Sequence, residues 1–225
     1  KQNTLPNNYY QVYLNDELLG TIESKKELED YIDKNGEYYK KKYDVDRVYA
    51  PNGLQIKEVT TYSGDVTSVK KIYNKIKKEE PLTIDGYLMT IKHQDDEDDK
   101  TKIYVLDTDV FKKAVNTLID TFVGKDAYEL YLNDEQVEIE TTGENIEDVY
   151  VDEDITVKEV KIPVDEKIYT DAEDLSKYLL YGENSKESIY TVKAGDTIES
   201  VAFANKVNPE ELLLSNDTLT STTNL

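Results

Sequence analysis

The apolar residues of this chain occur in short patterns, and their spacing constrains the fold more than any other feature. Val12 and Leu14 alternate with polar neighbours, as in a half-buried strand, whereas Leu28 and Ile32 recur at helical spacing. Only 38% of the 225 residues are hydrophobic and 33% are charged, so each core must be small. The patterns predict an α+β chain divided into several small domains.

Strand patterns and helix patterns alternate through residues 9–95, which form the first predicted domain after a polar linker at 1–8. Asn15 and Asp16 separate two alternating runs and predict a hairpin turn. Further strands are predicted at residues 48–49, 56–61 and 82–91.

Two helices are predicted in this first domain. Ser24 begins one of them with a capping box, in which its hydroxyl accepts a hydrogen bond from the amide of Glu27. Asn35 and Gly36 offer a left-handed exit from this helix. The second helix ends before Pro81 and has four core residues at helical spacing, namely Val69, Ile72, Tyr73 and Ile76.

Residues 101–183 form the second predicted domain. Gly124 is expected to close its first helix, and Thr170 to begin its last helix through a second capping box. The first helix has a predicted core face at Val110, Phe111, Val115, Leu118, Ile119 and Phe122. Strands are predicted at residues 103–106, 128–132, 137–141 and 150–162, the middle two as a hairpin.

Short sequence echoes suggest that the two domains are related. The string YLNDE occurs at 13–17 and again at 131–135, and a VY pair followed by IKEV or VKEV also occurs twice. The offsets of the two echoes differ, so they predict a loose α+β repeat rather than a solenoid. Chance similarity between such short strings is the competing explanation.

The charge of the chain excludes several classes of partner. Its formal net charge is −21, and binding to nucleic acid requires Lys and Arg to replace the counterions of the phosphates. Anionic lipid surfaces are excluded by the same argument. A neutral polymer, either a glycan or a peptide, is the expected partner.

The residues that catalysis or metal binding would need are scarce. His93 is the single histidine and there is no cysteine, so neither a zinc site with several histidines nor a thiol nucleophile is expected. The acidic run at 95–99 offers oxygen ligands for calcium, but it lacks the glycine and the spacing of a calcium loop, and we interpret it as a mobile hairpin tip. We expect no catalytic residues, no metal and no cofactor in this chain.

The C-terminal residues form a more specific pattern. The string YTVKAGDTIESVA at 190–202 predicts a strand, a tight turn and a helix that Thr197 caps. Asn208 then precedes Pro209 and two glutamates, which is the favoured order for a helix start: a capping side chain, proline at the first position and acids near the positive end of the dipole. Both helices should therefore begin where these capping residues stand.

This pattern resembles the LysM family over residues 188–225. The resemblance implies a βααβ module that binds glycans containing N-acetylglucosamine, such as peptidoglycan, in a shallow groove. It implies one groove wall at Gly195, Asp196, Thr197 and Ile198, and a second wall at Leu214, Ser215, Asn216 and Asp217. Exposed backbone amides at helix starts can bond the acetamido carbonyl of such a sugar.

The chain departs from the family pattern in two places. Asn205 stands where the family usually has tyrosine or histidine, and the last strand of the family is missing before Leu225. The module is therefore expected to be truncated or to continue past this residue. Lys1 is not methionine and no apolar run suits a signal peptide, so we interpret the sequence as an excised or processed fragment.

The region before the module also resembles the N-terminal part of Gram-positive cell-wall proteins that continue into a lysostaphin-type peptidoglycan endopeptidase. This resemblance implies a non-catalytic, wall-binding spacer that is extracellular, in the wall or on the outer face of the membrane. Another cell-wall protein is a further expected partner. The alternatives are an extracellular assembly module whose LysM does not bind, and a piece of an enzyme whose active domain lies outside these residues.

Overall fold

The computed structural model describes residues 6–61, 65–92, 100–183 and 188–225. Helices and strands alternate within these ranges, which confirms the α+β class. The described strands are β1 (Asn7–Leu14), β2 (Glu17–Ile22), β3 (Leu54–Thr61), β4 (Thr83–Lys92), β5 (Lys100–Val105), β6 (Asp154–Pro163) and β7 (Ile168–Tyr169). The described helices are α1 (Lys25–Tyr43), α2 (Val69–Glu79), α3 (Thr108–Val123), α4 (Lys125–Leu132), α5 (Ala172–Tyr181), α6 (Ile198–Asn205) and α7 (Pro209–Leu214).

The chain forms two compact units, each built from two stretches of sequence. The first comprises Lys1–Met89 and Val157–Ile168, and the second comprises Thr90–Thr156 and Tyr169–Leu225. The domain boundaries expected from the sequence, at 9–95, 101–183 and 188–225, stay predictions.

The first unit contains a three-stranded antiparallel sheet in the order β2-β1-β3. Asn15 and Asp16 have φ angles of 49° and 66°, the left-handed values that a two-residue hairpin turn of type I′ requires. Val12 and Leu14 of β1 are fully buried. The predicted hairpin is therefore confirmed, and its apolar face forms the core.

Helices α1 and α2 pack against each other, and α2 also contacts β2. The hydroxyl of Ser24 accepts a hydrogen bond from the amide of Glu27 at 3.2 Å, as predicted. The predicted exit at Gly36 is wrong, because α1 continues to Asp44, which caps it with a φ of 51°. The residues after Gly36 are mostly good helix formers, and they outweigh one glycine. The four predicted core residues of α2 are all buried.

Strand β4 lies beside β6 in the first unit. The carboxylate of Asp85 on β4 forms an ion pair with Lys161 on β6 and accepts a hydrogen bond of 2.7 Å from the Tyr49 hydroxyl. The contact with Lys161 has the larger effect and the hydrogen bond from Tyr49 the next largest, and both hold the pKa of the Asp85 carboxyl below its usual value. This polar cluster joins two strands that lie far apart in the sequence.

Helix α3 begins the helical part of the second unit. Asp107 caps its start and Gly124 closes it with a φ of 91°, the latter as predicted. Phe111 is buried, but Phe122 is 66% exposed, so the predicted core face is only partly correct. Ala114 and Thr121 are buried, so the buried face of α3 includes the residue just before Phe122 and not Phe122 itself.

The predicted hairpin at 128–132 and 137–141 is wrong. Residues 125–132 form α4, and residues 133–153 contain neither helix nor strand. The extended segment expected from residue 150 begins only at β6.

Helix α5 packs against α3. Its cap is Asp171 rather than the predicted Thr170, because the Asp171 carboxylate accepts hydrogen bonds from the amides of both Glu173 and Asp174, at 2.9 and 3.0 Å. Leu175 is buried, and the helix ends at Gly182 as predicted. Among the described residues, no helix is both long and apolar enough to cross a membrane.

Candidate functional site

The first predicted wall begins with a tight turn at residues 194–196. The amide of Asp196 donates to the carbonyl of Lys193 at 3.0 Å, and Gly195 has a φ of 94°, which favours glycine. The Asp196 carboxylate accepts hydrogen bonds from the Lys193 amide at 2.7 Å and from the Tyr190 hydroxyl at 2.9 Å. The second of these bonds raises the pKa of the Tyr190 hydroxyl. The turn is therefore fixed by the side chain of its own aspartate.

Thr197 then caps α6 as predicted. Its hydroxyl accepts a hydrogen bond of 3.1 Å from the backbone amide of Ser200, and the Ser200 hydroxyl accepts one of 2.9 Å from the backbone amide of Thr197. The side chain of Ile198 is only 4% exposed and belongs to the core of α6, with Val201. Ile198 can therefore offer the wall its backbone amide, whereas its side chain holds the helix in place.

Glu199 lies beside the first predicted wall and was not named in the sequence interpretation. Hydrogen bonds from its own backbone amide and from the Thr197 side chain lower the pKa of its carboxyl group. The carboxylate thus lies at the start of α6, where free helical amides are found. Its position, two after the cap, is the sequence signal that could have identified it.

The second wall follows α7, which also begins as predicted. The side-chain oxygen of Asn208 accepts a hydrogen bond of 2.8 Å from the backbone amide of Glu211. The Glu211 carboxylate in turn accepts one of 2.6 Å from the backbone amide of Asn208. The helix ends at Ser215, whose hydroxyl donates to the carbonyl of Glu211 at 2.8 Å. The amide side chain of Asn216 donates to the Leu212 carbonyl at 2.7 Å. Of the predicted wall, Leu214 is half-buried, and the three residues at 215–217 are exposed.

Helix α5 contacts this second wall, which the sequence did not predict. The hydroxyl of Tyr181 donates to the Glu211 carbonyl at 3.1 Å and lies 2.7 Å from the hydroxyl of Ser215. Lys177 forms an ion pair with Asp217, and this contact raises the pKa of Lys177 and lowers that of Asp217. Two of the four predicted residues of this wall are thus bonded to a neighbouring helix.

The structure supports the paired helices of the expected βααβ order but not its strands. Helices α6 and α7 pack against each other, and the amide of Val207, in their connection, donates to the Ala202 carbonyl at 3.1 Å. No strand occurs within residues 188–225, so the strand predicted before the turn at 194–196 is wrong. A strand requires a hydrogen-bonded neighbour, and none is assigned to residues 190–193.

The other candidate sites have little support. Within the described ranges, no cluster of three or more His, Cys, Asp or Glu side chains could hold a metal ion. His93 and the acidic run at 95–99 lie outside the described residues.

Two short capped helices that pack against each other, preceded by a turn that an aspartate fixes, make residues 194–215 a small helical module. Residues 190–225 match the LysM domain family, so the chain contains a LysM domain at its C-terminal end. LysM domains bind N-acetylglucosamine glycans such as peptidoglycan. Searches of curated proteins and of solved structures found no match for this chain.

Proposed function

We propose that this chain is a non-catalytic, peptidoglycan-binding and spacer region of a bacterial cell-wall protein, secreted or anchored to the membrane. The match of residues 190–225 to the LysM family carries the proposal. The capped start of α6 and the exposed end of α7 support it, because each of the two predicted walls lies at one of these helix ends. The sugar meets Gly195, Asp196 and Thr197 on one side and the 215–217 segment on the other.

The polar groups of the first wall suit an acetamido group. The first amides of α6 lack partners within the helix and can donate to a sugar carbonyl. Glu199 competes for these amides, so a glycan displaces its carboxylate on binding. The rest of the chain serves as a spacer. In a Gram-positive protein it would position a peptidoglycan hydrolase of the lysostaphin type that is joined outside these residues.

Sedimentation with purified peptidoglycan tests this proposal. The double variant Asp196→Ala and Thr197→Ala removes the side chains that fix the turn and cap α6, and we expect at least a tenfold loss of retention. The matched control is Ser24→Ala, which removes the cap of α1 in the other compact unit. Loss of that cap should cost about 1 kcal/mol of stability and leave retention unchanged. Equal retention of all three proteins would remove the proposal.

A second candidate is an extracellular assembly module whose LysM does not bind glycan. Large apolar side chains are exposed along one irregular segment, with Val137 78% exposed and Tyr150 77% exposed, and such side chains are common at protein interfaces. This function predicts concentration-dependent association in light scattering, together with a melting temperature that glycans do not change. A monomer whose melting temperature rises with glycan would exclude it.

A further inference from the structure

The second wall is held weakly by its own helix. Helix α7 has only six residues, and none of them is buried. A helix this short is not stable by itself, so contacts outside it must fix the position of residues 215–217. Helix α6 provides some of these contacts, and α3 and α5, in the same compact unit as α7, provide the others.

The first contact comes from Tyr181, in the last turn of α5. Its hydroxyl is 3.1 Å from the carbonyl of Glu211 and 2.7 Å from the hydroxyl of Ser215. The carbonyl of Glu211 also accepts the backbone amide of Ser215 at 3.1 Å, which is the bond that closes the last turn of α7. Tyr181 thus stabilises the end of α7 at the point where the wall begins.

The second contact comes from Lys177, one turn before Tyr181 and therefore on the same face of α5. Its ammonium group pairs with Asp217 and also lies 3.1 Å from the carboxylate of Glu173. The side chain of Lys177 is 28% exposed, less than that of any other lysine in an ion pair between described residues. Lys177 therefore fixes the far end of the wall.

The third contact fixes the start of α7. The side-chain amide of Asn208 donates to the carbonyl of Thr121 on α3 at 2.8 Å, and Thr121 is 5% exposed. Helix α3 is in turn joined to α5, where the buried hydroxyl of Ser176 lies 3.4 Å from the carbonyl of Ala114. Helices α3 and α5 therefore form one support for both ends of α7.

We propose that Lys177 and Tyr181 are positioning residues of the glycan site, so that sugar binding by this LysM domain depends on a helix outside it. This inference rests on the proposed function, because it concerns the same groove. The LysM domain and the α3–α5 pair then act as one composite binding unit. The two side chains hold residues 215–217 in the orientation that the sugar meets.

Variants of the full chain test this inference with chitotetraose as the probe. Tyr181→Phe keeps the ring but loses the hydroxyl, and we expect its affinity to fall about fivefold, as for loss of one hydrogen bond. Lys177→Gln should weaken binding by a similar factor, and Lys177→Arg should restore most of it. Lys26→Gln is the matched control, because Lys26 pairs with Asp30 on α1, in the other compact unit, and it should not change the affinity.

Hydrogen exchange separates positioning from general stability. In both weakened variants the amides of 215–217 should exchange faster, while those of 195–198 keep the wild-type rate. Unchanged affinity in the variants, or tighter binding, would overturn the inference while the proposed function stands. Tighter binding would mean that α5 blocks the groove. A wild-type chain that does not bind chitotetraose would overturn both.

Discussion

The surroundings of Tyr73 raise the pKa of its hydroxyl. Its side chain is only 5% exposed, and burial, followed by nearby Tyr39, raises its pKa to about 12. A tyrosine in the unfolded chain titrates near pH 10, roughly two units lower. Between these two pKa values the Tyr73 hydroxyl is ionised in the unfolded chain but still protonated in the folded protein. The free energy of unfolding therefore falls as pH rises through this range.

This difference predicts how stability depends on alkaline pH. Tyr73 contributes fully below about pH 10, and its contribution declines by about 1.4 kcal/mol per pH unit up to about pH 12. Tyr73→Phe should therefore lose stability less steeply than the wild type over this range, as measured by urea unfolding. Tyr38→Phe is the control, since Tyr38 is 60% exposed and should give the wild-type slope. Identical slopes for all three proteins would contradict the account.

Capping residues show what local sequence can and cannot determine. Ser24, Thr197 and Asn208 were predicted as caps and accept the expected amides, because a cap depends on bonds within four residues. The capping-box pattern predicts a cap at Thr170, but the carboxylate of Asp171 accepts hydrogen bonds from two amides, so the helix begins one residue later. The contacts of Lys177 and Tyr181 had no local signal, since their partners follow 30 or more residues later.

At the scale of the element, two glycines should respond oppositely to the same substitution. Gly36 lies inside α1 with nothing within 4 Å of an added Cβ. Gly36→Ala should therefore raise the free energy of unfolding by about 1 kcal/mol. Chemical denaturation with circular dichroism gives this quantity directly. An unchanged or lower value would mean that α1 is not continuous through residue 36.

Gly53 is the matched control for this prediction. It has a φ of 72°, and an added Cβ would lie 2.1 Å from the side-chain oxygen of Asn15. Gly53→Ala should destabilise the protein by at least about 1–2 kcal/mol, the cost of a left-handed backbone for a residue with a Cβ. Equal effects of the two substitutions would contradict both assignments.

The repeated YLNDE string shows why elements were harder to predict than caps. At 13–17 it forms a hairpin turn, with positive φ at both Asn15 and Asp16. At 131–135 it spans the end of α4, where Asn133 is helical and only Asp134 has positive φ. The surroundings of the string differ, because the first copy joins the paired strands β1 and β2 whereas the second lies at the end of α4. A five-residue echo therefore does not specify one structure.

At the scale of the whole molecule, the negative charge is distributed unevenly between the two units. The first unit holds 17 Lys and Arg against 18 Asp and Glu, a net charge of −1, and the second holds 10 against 30, a net charge of −20. These units could not be predicted from local patterns, because β6 joins the first unit from residues far along the chain. The LysM domain thus belongs to a strongly acidic unit.

This charge predicts how salt affects binding. Wall material that carries carboxylates should be repelled by the acidic unit at low salt, and salt screens this repulsion. Retention on peptidoglycan should therefore increase between about 20 and about 300 mM NaCl, because the Debye length shortens severalfold over roughly this range. The affinity for neutral chitotetraose should stay constant. Retention that falls with salt would instead indicate attraction between opposite charges.

The central claim is that the walls at 195–198 and 214–217 bind an amino-sugar together. Titration of the ¹⁵N-labelled chain with chitotetraose, followed by amide chemical shifts, tests it most directly. The account predicts saturable shifts in both walls with one dissociation constant, while amides of the β2-β1-β3 sheet stay in place. Unmoved amides in both walls at saturating sugar would contradict it.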